Sequence, residues 1–90
     1  MGNKFYYSDG SILGHWDSTK ILHRLDGPAI EFADGDRYWF VDGRRHRLDG
    51  PACELADGDR YWYVDGKYLT YEEFEDYKAE LFERSVLDGR

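Results

Sequence analysis

The stretch His23-Arg24-Leu25-Asp26-Gly27-Pro28-Ala29-Ile30-Glu31-Phe32-Ala33-Asp34-Gly35-Asp36-Arg37-Tyr38-Trp39-Phe40-Val41-Asp42-Gly43-Arg44-Arg45 decides the fold, because residues 46–68 repeat it. Only five positions differ: Ile30/Cys53, Phe32/Leu55, Phe40/Tyr63, Arg44/Lys67 and Arg45/Tyr68. Self-similarity at a fixed period is the mark of a stacked array, whose terminal copies are expected to be atypical. A worn copy fills residues 1–22: Phe5-Tyr6-Tyr7-Ser8-Asp9-Gly10 matches residues 31–35 in character, with two extra residues assigned to positions 19–22.

Each unit reads as a β-hairpin. Residues 28–33 form a strand opened by Pro28, Asp34-Gly35 is a two-residue turn able to take positive φ, and residues 37–41 are an aromatic, β-branched return strand. Asp42-Gly43 and Asp49-Gly50-Pro51 punctuate the connection to the next hairpin. Three copies give an antiparallel meander of about six strands.

Beyond residue 69 the period changes. Thr70-Tyr71-Glu72-Glu73 is a capping box, and Phe74, Tyr77 and Leu81 recur at helical spacing. Asp88-Gly89 reads as the stop, so residues 70–88 are one amphipathic helix. The chain is an α+β single domain over residues 1–90, with the helix packed on one face of the meander.

A two-residue turn at Asp34-Gly35 puts Ile30, Phe32, Trp39 and Val41 on one face, and Cys53, Leu55, Trp62 and Val64 repeat them. This apolar set is the expected core beneath the helix. The other face carries Ala29, Glu31, Ala33, Tyr38 and Phe40, then Ala52, Glu54, Ala56, Tyr61 and Tyr63. A helix of this length covers one face only, leaving the Tyr/Phe/Glu face open. Three readings of it stand side by side: rings stacked along the meander, burial in a homodimer, and a surface for another molecule.

Composition narrows the function classes. Ninety residues hold one domain, with 12 Lys+Arg against 19 Asp+Glu and a net charge of −7. That balance argues against duplex DNA as a partner, and no apolar run is long enough to span a membrane. The first residues lack the apolar core of a signal peptide. Cys53 is the only cysteine, which excludes an internal disulfide and favours a reducing, cytoplasmic setting.

The pattern Tyr-Trp-x-x-Asp-Gly-x-x-His-Arg-x-Asp-Gly-Pro-Ala resembles MORN-type hairpin repeats. It is closer to small tailed-bacteriophage proteins with tandem His-Arg-x-Asp-Gly-Pro-Ala units and a terminal helix opening like Leu69-Thr70-Tyr71-Glu72-Glu73-Phe74. The match runs from His23 to about Glu75 and is poor before it. The resemblance implies hairpin repeats and a phage origin, where accessory proteins commonly act on host factors, including defence components; it implies no activity.

His23-x-x-Asp26 and His46-x-x-Asp49 have the look of a base or metal ligand, but identical duplication two strands apart fits turn-stabilising residues better. Asp34-Gly35-Asp36 and Asp57-Gly58-Asp59 lack the further ligands of a calcium loop, and Cys53 takes the core position of Ile30. No catalytic constellation, metal site or cofactor is expected. Two candidate surfaces remain. A partner-binding one comprises Tyr38, Phe40, Tyr61, Tyr63, Glu31 and Glu54, with Glu72, Glu75 and Asp76 on the acidic helix. An anion-binding one comprises His23, Arg24, Arg44, Arg45, His46 and Arg47. The leading expectation is a non-enzymatic protein that occupies and inhibits a host protein. The alternatives are a sponge for an anionic nucleotide signal and a structural or assembly protein of a virion.

Overall fold

The computed structural model describes residues 2–88, and the side chains of residues 2–83. Nine short strands precede one helix: β1 (Lys4–Tyr6), β2 (Ile12–Leu13), β3 (Ile30–Glu31), β4 (Arg37–Tyr38), β5 (Phe40–Val41), β6 (Arg44–Arg45), β7 (Cys53–Glu54), β8 (Arg60–Val64), β9 (Lys67–Leu69) and α1 (Tyr71–Asp88). Seven form an antiparallel sheet in the order β2-β1-β3-β4-β7-β8-β9, and β5 pairs with β6 alone. The fold is the α+β meander with a terminal helix. The strand count exceeds six because each aromatic strand serves two partners. Arg37 and Tyr38 pair with β3 and β7, while Phe40 and Val41 turn back onto β6. Trp39 is the branch point: its amide donates to the Ala52 carbonyl (2.8 Å) and its carbonyl accepts from the His46 amide (3.1 Å).

The register corrects the expected faces. Ile30 lies opposite Tyr38 and Cys53 opposite Tyr61, one residue away from the pairing that a two-residue turn gives. The Phe32 amide donates to the Asp36 carbonyl and the Gly35 amide to the Phe32 carbonyl. The loop is therefore three residues, 33–35, ending in Gly35 at φ 105°. That is a type I turn with a glycine bulge. The tight two-residue turns are instead Asp42-Gly43 (φ 51° and 79°) and Asp65-Gly66 (φ 51° and 81°), positive at both positions. A one-residue slip moves a strand's whole side-chain set to the other face. Ile30, Phe32 and Cys53 thus join the Tyr38/Phe40 and Tyr61/Tyr63 face. Trp39, Val41, Trp62 and Val64 share the opposite face with Ala29, Glu31, Ala52 and Glu54.

The first unit is also re-registered. Phe5 pairs with Ile30 as Tyr38 pairs with Cys53. Asn3-Lys4-Phe5-Tyr6-Tyr7 is therefore the structural equivalent of Asp36-Arg37-Tyr38-Trp39-Phe40, not of residues 31–35. The Tyr7–Leu22 bridge corresponds to the Phe40–Arg45 pair. Residues 8–21 thus stand where residues 41–44 do in the second unit, an insertion larger than the two residues expected.

The core lies toward the first two units. Phe5, Tyr7 and Ile30 are buried, with Leu13, Leu22, Phe32, Tyr38 and Phe40 packed on them. Ala29 and Ala52 on the opposite face are fully buried.

The capping box forms as the spacing predicts: the Glu73 amide donates to Thr70 Oγ1 (3.1 Å) and the Thr70 amide to Glu73 Oε1 (2.9 Å). The helix does not lie across the sheet. It docks at one end, where Phe74 is 1% exposed and Trp62 meets Tyr71 and Phe74 at 5.2 and 6.4 Å between centroids. Tyr71 and Phe82 stay exposed. The expected stop at Gly89 lies outside the described residues.

Candidate functional site

The His/Arg end of the sheet is built from two copies of one device. His23 Nδ1 accepts the Asp42 amide at 3.0 Å, and His46 Nδ1 accepts the Asp65 amide at 2.9 Å. Each imidazole therefore secures the tight turn that closes its own unit. Arg24 Cζ sits 4.0 Å from the Tyr6 ring centroid and Arg47 Cζ 3.9 Å from that of Trp39. Arg47 donates Nε to Asp49 (2.8 Å), and Nη1 to the Pro51 carbonyl (3.0 Å) and to Glu54 (2.9 Å). Arg24 repeats this with Asp26, Pro28 and Glu31. The Arg47 guanidinium holds the Asp49 carboxyl below the usual carboxylate range. Four of the six candidate anion-binding residues, His23, Arg24, His46 and Arg47, are thus engaged within the fold. Arg44 and Arg45 are exposed and project from β6 without a described ion pair. Asp9, in the segment 8–21 that stands where the Asp42-Gly43 turn does, pairs with Lys20.

Glu31 and Glu54 belong to these arginine clusters, on the face opposite Tyr38, Phe40, Tyr61 and Tyr63. They are not part of the aromatic surface to which the sequence reading assigned them. On the helix, Glu75 pairs with Lys78 at 3.2 Å, while Glu72 and Asp76 are exposed. The helix packs on Trp62, so this acidic surface and the aromatic face lie on opposite sides of the sheet.

The aromatic face centres on Arg45. Its Cζ lies 5.9 Å from the Tyr38 centroid, 5.9 Å from Phe40 and 5.3 Å from Tyr63. Tyr63 meets Tyr68 edge-on at 5.7 Å. Tyr38 and Phe40 are half-buried over the core, and burial, with Asp36 nearby, raises the Tyr38 phenol above its ordinary pKa. Tyr61 is 39% and Tyr68 52% exposed. Tyr68 was not singled out in the sequence; its place one unit after Arg45 is the signal that could have found it.

The remaining chemistry is structural. Asp34 and Asp57 carboxylates accept the Asp36 and Asp59 amides at 3.0 Å. Cys53 is buried, which pushes its thiol pKa up. Among the described residues no group of three His, Cys, Asp or Glu side chains is placed to hold a metal. An open cleft of about 460 Å³ lies between the two arginine loops, lined by Trp39, Val41, Leu25, Leu48, Arg24 and Arg47. Its guanidinium groups already bind Asp and Glu, so it has little charge to offer an anion. No described helix is long and apolar enough to cross a membrane. Comparison with protein-family models, curated proteins and solved structures yields no match to this chain.

Proposed function

We propose that this chain is a non-enzymatic binding protein that occupies a host protein through its Tyr/Arg face. The resemblance to phage accessory proteins gives the setting: a bacterial host, with a defence component as the class of target. The observation that carries the reading is Arg45, exposed and without a described carboxylate partner, amid Tyr38, Phe40 and Tyr63, with Tyr68 against Tyr63 and Tyr61 exposed on the same face. Tyrosine and arginine dominate interface hot spots because they bring large contact area, a polar tip and modest entropy loss. The helix leaves this face uncovered.

The test is capture from bacterial lysate followed by native mass spectrometry, comparing the chain with its Tyr61→Ala/Tyr63→Ala variant. A stoichiometric host protein held by the chain and lost from the folded variant is the expected result. Equal capture by both would remove the face from the proposal. A small anionic ligand bound to the otherwise bare chain, and lost on Arg44→Glu with Arg45→Glu, would replace it with the sponge.

A further inference from the structure

The units join through one recurring strand pairing. At the first joint, Lys4 pairs with Glu31 and Phe5 with Ile30, and Asn3 Oδ1 accepts the Ala33 amide at 2.8 Å. At the second, Arg37 pairs with Glu54 and Tyr38 with Cys53, and Asp36 Oδ1 accepts the Ala56 amide at 2.7 Å. Arg37 Nη1 also lies 3.9 Å from Glu54 Oε1. The same residues occur a third time as Asp59-Arg60-Tyr61, where no strand is added. Arg60 and Tyr61 pair with β7 alone, because β9 reaches only Trp62, Tyr63 and Val64. Asp36 and Tyr38 are half-buried, but Asp59 and Tyr61 are exposed. A methyl group on Gly35 would touch Ala56 at 3.3 Å; on Gly58 it would meet nothing within 4 Å.

Backbone polarity agrees with an open slot. The Asp59 carbonyl accepts from the Leu55 amide, on the β7 side. Successive residues of a strand turn their polar groups to opposite sides, so Arg60 presents its amide and carbonyl to the unpaired side. Such an edge is a template for another strand.

We infer that the edge at Asp59-Arg60-Tyr61 accepts an antiparallel strand of the form apolar-Glu-apolar-Ala from another polypeptide, continuing the interface by which the units join. The apolar residue faces Tyr61, the glutamate pairs with Arg60, and Asp59 Oδ1 accepts the alanine amide. The Pro-Ala that precedes this motif in both internal strands is not required, because Tyr71 and Phe74 already cover Trp62. The site shares Tyr61 with the Tyr/Arg face but rests on the backbone edge and on Asp59 and Arg60, so Tyr63→Ala separates the two.

The test uses a capped, labelled peptide of sequence Ile-Glu-Phe-Ala-Asp-Gly-Asp, that of residues 30–36, titrated with the whole chain and followed by backbone amide NMR shifts. Saturable binding with shifts centred on residues 57–61 is expected. Arg60→Pro, tolerable on an edge strand, should weaken binding at least tenfold with the circular dichroism spectrum unchanged. If that variant misfolds, Asp59→Ala supplies the same comparison through the lost acceptor. Glutamate-to-lysine substitution in the peptide should weaken it similarly, and Tyr63→Ala in the chain should not. Shifts elsewhere, or undiminished affinity in the folded edge variant, would overturn the inference. So would self-association that Arg60→Pro abolishes while the peptide fails to bind, since the occupant would then be a second copy.

Discussion

Arg47 shows how a single side chain binds a repeat together. Its guanidinium lies on Trp39 and donates to Asp49, the Pro51 carbonyl and Glu54. Hydrogen bonds to charged partners contribute about 1.5–3 kcal/mol each at best, and exposure of Asp49 lowers its share. Arg47→Ala should cost about 2–3 kcal/mol in urea unfolding, given those bonds and a cation–π contact of about 0.5–1 kcal/mol. Lysine should recover less than half, since a point charge cannot reproduce the planar fork. Gly50 belongs to the same device. A methyl group there would sit 2.9 Å from Arg47 Cζ. The glycine of Asp-Gly-Pro is therefore required by close approach rather than by positive φ. Gly50→Ala should destabilise the chain by displacing the guanidinium, and the loss should largely vanish when Arg47 is already alanine. Additive losses in that double-mutant cycle would refute the coupling. His46 works at smaller magnitude: His46→Ala orphans the Asp65 amide and should cost about 1 kcal/mol.

At the scale of elements, identical dipeptides make different turns. Asp34-Gly35 closes a three-residue loop with only Gly35 at positive φ, whereas Asp42-Gly43 is positive at both positions. Asp65→Val should therefore cost about 1–2 kcal/mol, while Asp34→Val loses only the bond to the Asp36 amide. Comparing the two variants by urea unfolding checks the assignment. This difference explains what the sequence concealed. The repeat, its hairpins and the Thr70/Glu73 capping box were legible because each depends on local chemistry. The faces were not, because Asp34-Gly35 is compatible with either loop length and one residue of register exchanges Trp39 for Tyr38. The first unit was misaligned because the insertion of residues 8–21 interrupts the pattern immediately after its aromatic triplet. Tyr38, Phe40, Tyr61 and Tyr63 share one face, since those residues alternate together whatever the register. Glu31 and Glu54 separated from it.

The insertion also carries its own pH dependence. Lys20 and then Ser11 hold Asp9 far below the usual carboxylate range, and Thr19 lowers Asp17. A depressed folded pKa stabilises the native state fully above the unfolded value of about 3.9, and less as pH falls toward the folded value. The stability advantage of the parent chain over Asp9→Asn should therefore be constant above about pH 5 and shrink below about pH 4. An advantage that grew on acidification would contradict the assigned interactions.

Across the whole molecule, stability is expected to fall from the first unit to the third. The joints repeat nearly bond for bond, and the stacked residue changes along the row. Arg24 covers Tyr6 and Arg47 covers Trp39, but over Trp62 the chain continues as Thr70 and supplies Tyr71 and Phe74 from the helix. The helix replaces the fourth strand-loop unit at its first ring contact rather than roofing the sheet. The buried cluster of Phe5, Tyr7 and Ile30 lies at the other end, while the third unit depends on Cys53, Val64 and Phe74. In a linear array each unit is stabilised by its neighbours, so an end with little core opens first. Native-state hydrogen exchange should find the Tyr6, Ala29 and Trp39 amides slowest and the Gly66 and Phe74 amides faster. Phe74→Ala removes a side chain whose burial is typically worth about 3–5 kcal/mol. That loss should fall on the helix and β8–β9 first. Helical circular dichroism and Gly66 protection should drop sharply while Tyr6 and Ala29 keep most of theirs. Equal acceleration at all of these sites would mean that the units unfold as one body and that the helix anchors the whole sheet.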